Sequence, residues 1–166
     1  MFRSLILTLL AVLPLAGATP DGSWSVANAP DLQAVIDQAT APMNFLTRPI
    51  ARSRLRSVNV VFRRIQVVRA SGEVSITFDD RQPIHMPLDG TPVPWTREDG
   101  EKMTVAARMD GDDLEQTFFA HDGERVNHFH VDPASRTLRF QVTVRSGRLP
   151  GPVAYTVDYR PAPTSE

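Results

Sequence analysis

The chain has 166 residues, 18 Lys+Arg against 19 Asp+Glu, a formal charge of −1 and no cysteine. That balance gives no electrostatic case for nucleic-acid binding. The missing cysteines exclude disulfides, thiolate chemistry and a lipid anchor through a lipobox Cys.

Residues 1–18 read as an export signal. Arg3 supplies a positive start, Leu5 to Leu15 form an apolar run broken only by Thr8 and Pro14, and Ala16-Gly17-Ala18 is a small-residue cleavage site. The run is too short for a bilayer span, which needs about 20 residues. Cleavage after Ala18 would leave no stable transmembrane span and a periplasmic or secreted protein. The basic residues are nearly all arginine, with Lys102 the one lysine, a bias that points to a GC-rich bacterial source. Residues 19–160 suit a single domain burying roughly two thirds of its unfolded surface.

Residues 29–57 carry a helical period. Asn28 can cap a helix that begins at Ala29, with Leu32, Val35 and Ile36 as its apolar stripe and Pro42 as its stop. Thr47 can cap a second helix with Pro49 in its first turn. Ile50 and Leu55 point roughly one way, while Arg48, Arg52 and Arg56 recur every fourth residue along another face.

From Val58 the period changes to two. Val74, Ile76 and Phe78 alternate with polar residues, as do Ile84, Met86 and Leu88, and Met103, Val105, Ala107 and Met109. Leu138, Phe140, Val142 and Val144 form the cleanest inward face, and Val153, Tyr155, Val157 and Tyr159 close the series. Asp-Gly pairs at 89–90, 99–100, 110–111 and 122–123 predict hairpin turns, since type I′ turns need two positive φ angles. The segment Asp89 to Lys102 reads as mostly loop, because Pro92 and Pro94 exclude a central strand. Short strands joined by hairpins predict a mainly β fold: an antiparallel up-and-down meander closing into a barrel of about 8 strands, after one or two short helices. Residues 161–166 read as a flexible tail.

Gly22-Ser23-Trp24 matches the G-x-W that opens lipocalins, and with the export signal and hairpin-joined strands the chain resembles exported bacterial lipocalin-like (calycin-type) domains. The resemblance implies a barrel holding a small apolar ligand, with the Trp plugging its closed end. The chain departs from that pattern in two ways: helical residues come after the Trp, and no helix comes after the last strand.

Several groups carry possible chemistry. His128 and His130 leave the same face of a predicted strand, a spacing that lets two imidazoles share one Zn²⁺ or Cu²⁺ ion with a third ligand such as His85, Glu115 or His121. The alternative is a pair of partly exposed strand residues without a ligand. Arg48, Arg52 and Arg56 suit an anionic ligand, or simply a solvated helix face. Trp95, on a loop at the barrel rim, is a ligand contact or packs back on the domain. Asp110, Asp112, Asp113 and Glu115 cluster at one turn but lack a calcium-loop spacing. No nucleophile elbow, phosphate loop or cofactor motif is present. The residues leave three function classes open: a module binding a small apolar, amphipathic or anionic ligand, an envelope interaction protein without ligand, or a histidine-based metalloprotein or enzyme.

Overall fold

The computed structural model describes residues 18–163, so the expected signal peptide up to Gly17 and the tail beyond Pro163 lie outside the described residues. In chain order the elements are β1 (Gly22–Asn28), α1 (Leu32–Thr40), α2 (Arg48–Val58), β2 (Arg64–Ala70), β3 (Glu73–Phe78), β4 (Ile84–Pro87), β5 (Val93–Thr96), β6 (Lys102–Asp110), β7 (Asp113–Ala120), β8 (Gly123–Asp132), β9 (Thr137–Ser146) and β10 (Val153–Pro161). All ten strands form one antiparallel sheet in the order β4-β3-β2-β1-β10-β9-β8-β7-β6-β5. First and last strands pair, Val26 against Tyr159 and Trp24 against Pro161, so the meander wraps round on itself. The wrap is nearly complete: β4 and β5 do not pair, and the seam is closed by the Asp89–Arg108 bridge and the Gly90 N–H donating to the Ala107 carbonyl at 2.9 Å.

The mainly β barrel with two short helices is as expected, but the helices lie between β1 and β2 and do not precede the barrel, and the strand count is ten rather than about eight. Two short segments account for the difference. Gly22-Ser23-Trp24 lies inside a strand, because Trp24 pairs with Ile65 on one side and Pro161 on the other. The segment expected to be loop contributes β5, whose Pro94 is tolerated because β5 is an edge strand pairing only with β6. Pairing of β1 through Asn28 also delays α1. Its cap is Asp31, whose carboxylate accepts from the Gln33 and Ala34 amides, and not Asn28.

The Asp-Gly pairs mark turns, but not the turns expected. Type I′ geometry needs positive φ at both central residues. Among the described residues the hairpin with that signature is Ser71-Gly72, with φ of 53° and 84°, which joins β2 to β3. Gly90, Gly100 and Gly111 have positive φ without their aspartates. Gly123 does not: it opens β8, where a Cβ would lie 2.2 Å from the Arg145 carbonyl oxygen.

The core is made by the period-two faces. Leu138, Phe140 and Val142 of β9, Phe129 of β8 and Val157 and Tyr159 of β10 are at most 1% exposed. Phe129 packs tilted against Phe140 at 4.9 Å between ring centroids, Tyr159 meets Phe140 edge-on at 6.2 Å, and the Tyr159 hydroxyl donates to the Phe62 carbonyl at 3.0 Å. Burial pushes the Tyr159 hydroxyl's pKa well up, so it remains a donor throughout the working pH range.

Two substitutions test this packing by urea denaturation. Phe140→Ala is expected to cost about 3–5 kcal/mol, as for truncation of a buried aromatic. Gly123→Ala is expected to cost about 1–3 kcal/mol by forcing β8 and β9 apart.

Candidate functional site: a cavity beneath the second helix

The barrel is only partly filled. Phe129, Phe140, Leu114 and Met86 pack one part of the interior solidly. Toward α2 the packing stops and leaves a cavity of about 690 Å³. This is the size of small-molecule sites in general, which run about 300–1,000 Å³. Its apolar lining comes from Phe62, Phe78, Ile84, Trp95, Met103, Phe118 and Val144 of the barrel, with Ile50, Ala51 and Leu55 of α2 as the roof, and polar and charged side chains make up the rest.

The roof is lightly held. Of α2 only Leu55 is buried, in a small cluster with Ile36 of α1 and Val153 of β10. Across the mouth, Arg54 reaches Asp122 at 3.5 Å and Glu101 at 3.7 Å on two hairpin turns, and Arg148 reaches Asp122 at 3.2 Å. These pairs are half exposed, so each contributes about 0–1 kcal/mol. Beside them Arg97 holds Asp99 and Glu101, and its guanidinium lowers the Asp99 pKa to about 2.

Two neighbouring polar side chains of β8, Arg125 and Asn127, line the cavity wall. Arg125, at the start of β8, shares the inward face with Asn127 and Phe129 and reaches under the C-terminal end of α2. Its Nε donates to Asn127 Oδ1 at 2.8 Å, and one terminal nitrogen to the Val58 carbonyl at 3.1 Å and Asn59 Oδ1 at 3.2 Å. The other terminal nitrogen lies 3.4 Å from the Tyr155 hydroxyl. Asn59 in turn ends α2 by donating to the Leu55 carbonyl and accepts from Tyr155, whose hydroxyl pKa burial raises. Asn127 Nδ2 donates to Gln116 Oε1 at 2.9 Å, both residues being fully buried. Every partner of Arg125 is neutral. Five other arginines line the cavity or its rim, Arg54, Arg81, Arg97, Arg145 and Arg148, and each has a carboxylate within 4.0 Å. Among the described residues Arg125 has none, so its donors are met by neutral acceptors alone.

The residues singled out from sequence are distributed unevenly around this site. Trp95 lines the cavity, on strand β5 rather than on a loop, with its ring 5.0 Å from that of Phe118. Arg48, Arg52 and Arg56 do not line it. Arg48 donates to the Ala41 and Met43 carbonyls at the end of α1, while Arg52 and Arg56 share Asp37 at 3.1 Å, so the three stitch α2 to α1. His128 and His130 lie on the outer face of β8 and converge on Asp113 of β7, at 3.3 and 2.8 Å. The described residues contain no group of three or more His, Cys, Asp or Glu placed to hold a metal ion. Arg125 is not among the sequence candidates, although Phe129 and Val131 on the same face place it inward by strand alternation.

No family model matches the chain, and no curated protein matches it. Solved structures do. A fatty acid binding protein of Schistosoma mansoni in complex with arachidonic acid superposes with a TM-score of 0.54 at 16% identity, covering 86% of this chain and 96% of that one. Fatty-acid-binding protein 1 of Echinococcus granulosus gives 0.54 at 11%, covering 86% and 97%. A fatty acid transporter, REP1-NXSQ, gives 0.53 at 11%, covering 87% and 97%. At these identities the likeness establishes the fold, a nearly closed antiparallel barrel consistent with the lipocalin-like expectation.

Proposed function

We propose that this protein is an exported binding module for a small amphipathic ligand, whose apolar body fills the cavity under α2 and whose anionic head meets Arg125. The observation that carries the reading is Arg125 itself, a cation pointing into an apolar cavity with no carboxylate partner among the described residues. A ligand carboxylate there meets the guanidinium ion to ion, with geometry for two parallel N–H···O bonds. Trp95 and Phe118 flank the apolar body. The fatty-acid-binding proteins of the same fold support a hydrophobic ligand. The filled part of the barrel sets a limit on length, favouring a compact ligand over one that runs the full depth. The fold neighbours are binding and transport proteins, which fits reading the module as a carrier.

Displacement of a fluorescent apolar probe by short- and medium-chain carboxylic acids tests this. Wild type is expected to bind an acid more tightly than the alcohol of equal length. Arg125→Met should weaken the acid by about 10- to 100-fold, the range of a hydrogen-bonded charge, while leaving the alcohol within about 3-fold. Equal losses for acid and alcohol, or no probe uptake by wild type, would sink the reading. Arg54→Ala removes the exposed ties across the mouth, and stopped-flow release of the probe is expected to speed up by no more than about 5-fold.

A further inference from the structure

The chain holds eight Phe, two Trp and two Tyr, and a third of these aromatics line this cavity: Phe62, Phe78, Trp95 and Phe118. They come as two pairs. Phe62 and Phe78 lie 4.5 Å apart between ring centroids, and Trp95 and Phe118 lie 5.0 Å apart. Phe118 stands on β7 and Phe62 just before β2, five places apart in the ten-strand order, so the pairs face each other across the barrel.

The pairs differ in what covers them. Phe62, Phe78 and Phe118 are at most 9% exposed, and the Arg81 guanidinium lies over Phe62 at 5.2 Å from its centroid. Trp95 is only half-buried, so the open ring surface is its own. Its plane meets that of Phe118 at 60°, and the two rings form a corner.

Charge stands beside that corner. Phe118 and Arg125 are directly opposed in the β7–β8 ladder, and both line the cavity. Such cross-strand partners have Cβ atoms about 4.5–5.5 Å apart. An anion on Arg125 therefore has the aromatic corner next to its carboxyl carbon, not at the far end of a chain. A saturated chain against these rings gains only from the burial of its area. A flat ring gains that and an edge-to-face or offset contact besides.

We propose that the ligand is a compact aryl carboxylic acid, with its ring seated in the Trp95–Phe118 corner and its carboxylate, carried on or close to the ring, at Arg125. This rests on the ligand reading above and narrows the apolar body from any hydrocarbon to an aromatic one.

Calorimetric titration with three acids of equal carbon number tests it: naphthoic acid, its fully saturated decalin analogue and straight-chain undecanoic acid. The saturated acids carry at least as much apolar surface, so area alone favours them. Wild type is expected to bind naphthoic acid about 3- to 10-fold more tightly than either, the worth of one or two ring contacts. Trp95→Leu keeps an apolar side chain but no ring, and should bring that ratio to within about 2-fold of unity, whereas Trp95→Phe should preserve it. Equal or tighter binding of the saturated acids by wild type overturns the inference and leaves the ligand reading standing, with no variant needed. A naphthoic acid preference that survives in Trp95→Leu overturns it as well, since the ring is then recognised elsewhere. If none of the three acids binds, the ligand reading fails and this inference with it.

Discussion

The pairing of β1 with both β2 and β10 is the constraint on which the rest of the structure depends. Trp24 lies between Ile65 and Pro161, so the first strand is locked into the sheet on both edges. Strands β1 and β2 are antiparallel neighbours that a two-residue turn could have joined. Instead residues 29–63 intervene, and because their two ends are fixed a strand's width apart, the excursion must fold back over the barrel's end. The helices form there because Asp31, Asn44 and Pro49 give them starts and because Ile36 and Leu55 find an apolar seat against Val153. The roof of the cavity is thus a consequence of topology.

An apolar interior that size costs stability, since unfilled space forfeits both transfer energy and contacts. The barrel limits the loss by filling the region around Phe129, Phe140 and Tyr159 solidly and concentrating the void under α2. Arg125 adds a second cost, because a guanidinium drawn out of water needs its donors satisfied. Asn59, Asn127, Tyr155 and the Val58 carbonyl do that without neutralising its charge. A carboxylate in the same place would have neutralised the guanidinium. Neutral acceptors keep the arginine folded in position while leaving its charge available.

Much of the barrel is legible in the chain, and the reasons for the misses are local. Period-two faces at Leu138–Val144 and Val153–Tyr159 report the wall directly, since one side of each strand is buried and the other is wet. Strand β1 escapes a sequence reading because Gly22–Asn28 has little alternation of its own and is held by partners distant in sequence. Strand β5 escapes it because Pro94 argues against a strand everywhere except at an edge, and only the closed topology reveals where the edge is. The site is less legible. The helical arginines stand out by their spacing, yet spacing of four equally describes a helix surface tied to its neighbour through Asp37. Arg125 carries a weaker signal, one charged residue on a face otherwise turned inward, and its meaning depends on knowing that Phe129 and Val131 face the core.

The same asymmetry bears on how the cavity opens. The strands flanking it are cross-linked by continuous ladders, with β8 and β9 in register over ten residue pairs, so the wall cannot breathe without breaking many hydrogen bonds together. The roof has no such ladder. Helix α2 buries a single apolar side chain and is tied across the mouth by exposed ion pairs at Arg54, which places it at the low-stability end of the fold, where local opening costs least. The least firmly held boundary of the cavity is therefore the helical hairpin, the same segment that carries Phe45, Leu46 and Ile50 outward.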